Sequence, residues 1–346
     1  MRQEQLDQIL EKVTNIFKSD SHSLETVLQR EIILNFLRLT SDDLDTLDLK
    51  VINRSFRELR YAFKVFKPYR HIRKVSIFGS ARTPEDDPYY KMAVDFARQL
   101  AENHYMVITG AADGIMKAGN EGAGTDKSFG VNIHLPFEQG ANEYILDDPK
   151  LVTFKYFFTR KLIFVMESHA IALFPGGFGT HDEGFESLTL LQTEKAPPRP
   201  FLLLELPGET YWERWDKFIQ EQILARGLIS PEDISLYKIV HSAEKAVEEI
   251  NMFYSTFHSF RQVGNKRVIR LEKDLGAEAI EQLNDQFSDI VTHGKIERTY
   301  ALPEESNEPD LLGKPRIAFE YAHKSAGRLK QMIDQINKLG KYATTD

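Results

Sequence analysis

Residues Ala170 to Gln192, AIALFPGGFGTHDEGFESLTLLQ, constrain the fold more than any other stretch of the chain. The apolar run Ile171 to Phe174 has the length and punctuation of a buried parallel strand. It breaks on Pro175-Gly176-Gly177, takes another glycine at Gly179, and the pattern predicts a helix from Thr180. Glycines at such a turn let a ligand approach the main chain closely. A helix starting at the carboxyl end of a strand points unpaired N–H groups and its positive dipole end at one spot, where an anion is the natural guest. The same residues also admit a plain structural reading. Thr180-His181-Asp182-Glu183 fits a capping box, with Glu183 bonding back to the Thr180 backbone. Spacing alone leaves both readings open.

A strand–loop–helix unit of this kind needs parallel neighbours, and the sequence supplies them. Strands are predicted at Val75–Phe78, Tyr105–Thr109, Gly130–Leu135, Phe201–Leu206 and near Tyr237–Val240, with Leu151–Tyr156 extended. Helices are predicted over Pro88–Asn103, from Ile115, and over Phe158–Ser168, Tyr211–Arg226 and Ser242 to about Phe257. The alternation implies an α/β fold, a doubly wound Rossmann-like parallel sheet covered on both faces. In the usual order 3-2-1-4-5 the chain reverses between its first strand and the Ile171 strand, opening a crevice at their carboxyl ends. Gly79-Ser80, Gly110 to Gly114 and Pro175 to Thr180 then converge on that crevice. A phosphate-containing ligand is the expected occupant.

Two extensions flank this unit. Residues 1–70 read as helices only, with Leu6, Ile9, Leu10, Val13, Ile16 and Phe17 on one face. Ser41-Asp42-Asp43 looks like the cap of a helix running to about Phe66, which Pro68 ends. Such stripes are expected to pack on the main domain or on a second copy. Residues 71–257 form the sheet domain. Residues 258–346 read as a small α+β appendage, with strands at Arg267–Leu271, Lys295–Leu302 and Arg316–Tyr321 and helices at Ala277–Ile290 and Ser325–Leu339. The acidic stretch Pro303 to Pro309 between them is expected to be a mobile loop.

Composition removes several classes of function. A net charge of −8 over 346 residues argues against a nucleic-acid partner. With no cysteine there is no disulfide, thiolate metal site or cysteine nucleophile. The charged, amphipathic amino terminus lacks a signal-peptide core and no run approaches eighteen apolar residues, so a cytoplasmic protein with no membrane partner is expected. His169 and His181 have neither an i, i+4 histidine partner nor a carboxylate triad, and no metal is expected. No Walker-type G-x-x-x-x-G-K-[ST] and no G-x-G-x-x-G after the first strand occurs, which turns the expectation towards a mononucleotide or sugar phosphate. Gly119-Asn120-Glu121-Gly122 is read as helix packing, and Asp113 as a turn residue.

Pro175-Gly176-Gly177-Phe178-Gly179-Thr180-His181-Asp182-Glu183 resembles the PGGxGTxxE signature of the LOG family, named after the plant Lonely Guy enzymes. Arg160-Lys161 resembles the family's Arg-Lys pair, Phe78-Gly79-Ser80 its first loop and Gly114-Ile115-Met116 its second. Asn132 to Gln139 and Tyr156-Phe157-Phe158 are similar to the longer bacterial branch. Two departures stand out: Gly110-Ala111-Ala112 replaces three glycines, and His181 and Gly184 replace residues that are commonly apolar.

The resemblance implies a nucleoside 5′-monophosphate phosphoribohydrolase of AMP or cytokinin-type substrates, releasing free base and ribose 5-phosphate without a cofactor, and working as a homodimer or larger homo-oligomer. It implies that Glu183 contacts ribose and activates water, and that Arg160 positions substrate and Glu183 or stabilises the leaving base. Gly79, Ser80, Gly110, Gly114, Gly176, Gly177, Gly179, Thr180, Lys161 and Glu186 become the substrate-binding candidates. Without the resemblance Arg160 reads as a surface ion pair and Glu186 equally as a solvated helix carboxylate. The other reading of the same crevice is a nucleotide or phosphorylated-cofactor binder, a sensor or carrier without turnover. Family members are often labelled lysine decarboxylases, but no lysine is marked out for a Schiff base.

Overall fold

The computed structural model describes residues 8–9, 11–12, 23–135, 140–322 and 325–341. Leu6, Leu10, Val13, Ile16 and Phe17 of the first helical stripe, and Pro136 to Gln139 of the long-branch resemblance, lie outside them. The chain divides into two compact units, Met1–Glu58 and Leu59–Asp346.

In the first unit, α1 (Leu24–Arg38) is capped by Ser23, whose hydroxyl accepts from the Thr26 N–H at 3.2 Å. Leu24, Val27, Leu28 and Phe36 stay exposed on it. The next helix, α2 (Thr46–Phe66), begins later than the sequence suggested: Asp45, not Ser41 to Asp43, accepts from the Asp48 N–H at 2.8 Å. The Ser41 hydroxyl instead donates back to the Arg38 carbonyl at the end of α1.

The second unit is built on seven parallel strands: β1 (Lys74–Phe78), β2 (Met106–Thr109), β3 (Ser128–Ile133), β4 (Leu151–Phe154), β5 (Ala170–Leu173), β6 (Phe201–Leu204) and β7 (Lys238–Val240). Their order is β4-β3-β2-β1-β5-β6-β7, which is the expected doubly wound order with the extended Leu151 segment added as an edge strand. β1, β2, β5 and β6 are buried at every residue, which explains their continuous apolar runs. The helices α3 (Pro88–Glu102), α4 (Ile115–Ala123), α5 (Phe157–Glu167), α6 (Phe178–Gln192), α7 (Tyr211–Phe218) and α8 (Ala243–Phe253) connect the strands. α7 runs on into a π-helical turn, Ile219–Leu224. The Gly119–Gly122 segment does serve packing. A side chain on Gly122 would meet the Val94 carbonyl oxygen at 2.1 Å, so the glycine lets α4 lie against α3.

The carboxyl-terminal part contains an antiparallel sheet, β8 (Phe257–Val263), β9 (Lys266–Leu271), β10 (Glu297–Thr299) and β11 (Arg316–Glu320), in the order β10-β11-β9-β8. Two helices accompany it, α9 (Ala277–Phe287) and α10 (Ala326–Lys341). β8 was not anticipated: most of its residues are half-buried, so FHSFRQV shows no clean in–out alternation. Its apolar residues join those of β1, α3 and α8 in one core, from Val75 through Phe253 and Ile269 to Ile336. The Pro303–Pro309 stretch is tied down, not loose. Glu305 is fully buried, 2.8 Å from Arg270 Nε and 3.5 Å from Arg316 Nε, while Glu308 accepts from Arg261 and Arg270 at 2.7 Å. Acidic composition suggested solvation, but the arginines of β8, β9 and β11 draw these carboxylates inward.

Candidate functional site

The β1–β5 register places Phe78 opposite Leu173, so the two following loops leave the sheet side by side. They are bonded to each other: the Ser80 N–H donates to the Pro175 carbonyl at 3.1 Å. The β2 loop joins them from the other flank, where the Ile115 N–H donates to the Ser80 carbonyl at 3.0 Å. Three glycines make this closeness possible. A side chain on Gly79 would sit 2.7 Å from Ile115, one on Gly176 would sit 2.1 Å from Thr180 Oγ1, and Gly114, at φ +62°, would press on the Ser80 carbonyl. Ser80 therefore spends its N–H on holding the loops, and its hydroxyl oxygen accepts from the Arg82 N–H at 3.1 Å. The hydroxyl proton is left to donate.

α6 begins at Phe178, with Gly177 as its cap residue, two positions before the expected start. Thr180 and Glu183 are thus both inside the helix, and a capping box between them does not form. The Phe178 and Gly179 N–H groups precede the helical hydrogen-bond ladder. Around Gly177 and Gly179 a side chain would meet nothing within 4 Å, so this turn opens onto free space. Phe178 between them is 97% exposed. An anion resting on this turn meets backbone donors, the helix dipole and no steric barrier.

Glu183 follows in the second turn of α6, only 7% exposed. Burial pushes its carboxyl up from 4.5 to about 7; the Arg160 and Lys161 cations pull it down, and the Asp182 and Glu186 carboxylates push it further up. Its carboxylate makes no hydrogen bond to another described residue. Arg160, on α5, lies across the end of β2: a side chain on Gly110 would approach its Nη2 to 3.0 Å and Met116 Sδ to 2.6 Å. The guanidinium stands 5.4 Å from the Phe164 ring centre and 6.0 Å from that of Phe157. Lys161 bridges Asp182 Oδ1 at 2.7 Å and Glu186 Oε2 at 2.6 Å. Burial alone would lower this ammonium, but the two carboxylates hold it above its ordinary value. The twelve residues named from the sequence thus lie in the loops after β1, β2 and β5 and on α5 and α6, with Lys161 and Glu186 paired to each other. Asp113 is in the turn before α4.

Three supports escaped the sequence reading. Tyr211 donates its hydroxyl proton to the Gly176 carbonyl at 2.5 Å and receives the His181 Nε2 proton at 2.7 Å, so it fixes the glycine turn from α7. Asn142 donates its backbone N–H and its side-chain amide to the Ala111 carbonyl, at 2.8 and 3.1 Å. That clamp holds Ala111 at φ +63°, a left-handed conformation that costs a residue with a Cβ about 1 to 2 kcal/mol. Asp182, on the exposed side of α6, is the further partner of Lys161. The family departures also find reasons. His181 packs among the rings of Phe185, Tyr211 and Trp212, and burial lowers its pKa. At Gly184 a side chain would strike Leu173 at 2.8 Å, so the glycine lets α6 approach β5. His169 lies at the amino end of β5, away from this crevice, and its Nδ1 accepts from the Lys74 N–H. Among the described residues no group of histidines and carboxylates has metal-site geometry. No described helix is long and apolar enough to cross a membrane.

Residues 108–250 match the model of the family described as possible lysine decarboxylase, and over this segment the resemblance to the LOG family is shown. No match to the curated proteins was found. Among solved structures, the molybdenum cofactor carrier protein of Chlamydomonas reinhardtii is 17% identical, with a TM-score of 0.37, covering 52% of this chain and 96% of its own. TM1055 is 20% identical, with a TM-score of 0.38, covering 52% and 99%. DNA processing protein A of Streptococcus pneumoniae is 15% identical, with a TM-score of 0.37, covering 52% and 62%. At these identities and scores no ligand or activity passes from them to this chain.

Proposed function

We propose that this chain, with its LOG-family centre, hydrolyses the N-glycosidic bond of a nucleoside 5′-monophosphate of AMP or cytokinin type, and that it works in the cytoplasm as a homodimer or larger homo-oligomer. The observation that supports this most is the pairing of an open glycine turn with a buried carboxylate one and a half turns further along the same helix. The 5′-phosphate rests on Gly177, Phe178 and Gly179 with Thr180 beneath it, and the ribose then lies over Glu183. A carboxyl near 7 is divided between its two forms at neutral pH, which suits a group that takes a proton and returns it.

The reaction balances with water alone. As the bond between C1′ and the base nitrogen breaks, its electron pair leaves with the base and positive charge grows on the ribose. Ionised Glu183 offsets that charge and takes a proton from the attacking water, whose oxygen bonds to C1′. The departing base gains one proton, and ribose 5-phosphate and free base result. Arg160 keeps its charge throughout and serves as a clamp on substrate and Glu183, not as an acid. Decarboxylation of lysine finds no such support. A Schiff-base lysine needs a lowered pKa, yet Lys161 and Lys117 are both held above their ordinary value by paired carboxylates. Lys74, which burial does lower, begins β1 at the opposite end of the sheet. The test is product analysis with nucleoside monophosphates, wild type against Glu183→Gln. Unchanged hydrolysis in the variant would remove Glu183 from the mechanism.

A further inference from the structure

At the other end of the same strands lies a cavity of about 920 Å³ that the proposed reaction does not use. It is framed by the amino ends of β1, β2, β5 and β6 and closed by the start of β8. Its volume is in the range of small-molecule sites. Its charge is one-sided: Arg70, Arg73, Lys195 and Arg199 line it against a single carboxylate, Glu272, in a chain whose net charge is −8. That carboxylate is already held by Lys314 Nζ at 2.6 Å and by Arg73 at 3.4 Å.

These cations are placed, not merely gathered. Arg199 is 3% exposed and rigid: its guanidinium donates to the Val165 carbonyl at 2.7 Å, to that of Ser168 and to that of Pro197 at 3.2 Å. The Arg73 guanidinium carbon stands over the Tyr254 ring, 4.2 Å from its centre. Arg70 and Lys195 stand exposed at the rim. Two imidazoles in the wall register the positive surroundings. His169 is lowered to about 3, by burial first and then by Lys74, Arg199 and Arg73; His258 is lowered to about 4, by burial and then by Lys314. Like charges around one volume repel each other at a cost to the fold, and an anionic occupant reverses the sign of that term.

We propose that this cavity is a second binding site, for a compact polyanion of the di- or triphosphate class, separate from the glycine crevice. The four residues of β5 span roughly 13 Å between them, so one ligand group does not reach both. Arg70 and Lys195 contact the outer phosphate groups, and Arg73, braced by Tyr254, the inner one.

Calorimetric titration with inorganic tripolyphosphate tests this on the full chain. Arg70→Glu with Lys195→Glu, both at exposed positions, should weaken binding at least tenfold while melting like the wild type. Arg70→Gln with Lys195→Gln should fall between. Thr180→Val in the crevice should leave this binding unchanged. Equal affinity in the wild-type and charge-reversed chains, no binding to the wild type at millimolar ligand, or a loss confined to Thr180→Val would each overturn the proposal.

Discussion

Replacing Glu183 by glutamine should make the protein more stable at alkaline pH while removing its activity. The folded-state pKa is raised, from 4.5 to about 7, so the fold favours the neutral carboxyl. The stability this group contributes is therefore fully present below the unfolded pKa and is lost as pH rises through about 7. Above that range the wild type carries a buried ionised carboxylate at a cost of about 3 kcal/mol, from roughly 1.4 kcal/mol for each pH unit of the shift. Glutamine has nearly the same shape and no charge. The difference in stability should then be under about 1 kcal/mol at pH 5, grow as the pH rises towards 7, and level off at about 3 kcal/mol just above it. For a chain of this size that is on the order of 5 °C in melting temperature. Paired thermal melts of the two proteins in steps between pH 5 and 9 measure it. A difference that does not change with pH, or a variant less stable than wild type at pH 8.5, would refute the desolvated carboxylate and the mechanism built on it.

Arg160 lowers the Glu183 pKa, so Arg160→Gln should raise it further, read as an alkaline shift of the Glu183 carboxyl resonance in an NMR titration. The same variant should lose about 100-fold or more in kcat/KM, as loss of a charged contact to the reacting atoms does. Gly176→Ala forces a methyl against Thr180 Oγ1 and the Ser80 amide, and should cost about 1 to 3 kcal/mol by denaturant titration. Gly179→Ala, which meets nothing, should melt like the wild type and raise KM only. Tyr211→Phe removes the hydroxyl shared by Gly176 and His181 and should cost about 1 to 3 kcal/mol while weakening phosphate binding.

The parts of the fold legible in the sequence are those with local causes. The Ile171–Phe174 run is apolar because β5 is covered on both faces, and the glycines after it mark a loop pressed between two others. From such cues the strand order around β1 and β5 follows, and so does the convergence of the loops. What was not legible depends on distant partners. Tyr211 meets Gly176 across 35 residues and Asn142 meets Ala111 across 31, and neither side chain announces this by spacing. The start of α6 was misplaced because Phe178-Gly179 looks like the tail of a turn, whereas both residues lie in the first turn of the helix. Glu305 looked solvated because its arginines lie on β9 and β11. Whether Glu183 was a cap or a free carboxylate was open from spacing, and the two-residue difference in the helix start decides it.

The most direct measurement is product analysis after incubating the purified chain with a panel of nucleoside 5′-monophosphates, with Glu183→Gln and Arg160→Ala alongside. Free base and ribose 5-phosphate in equal amounts, absent from both variants, is the result expected of a phosphoribohydrolase. Intact nucleotide after prolonged incubation, bound tightly by calorimetry, would contradict it and make the crevice a carrier or sensor site.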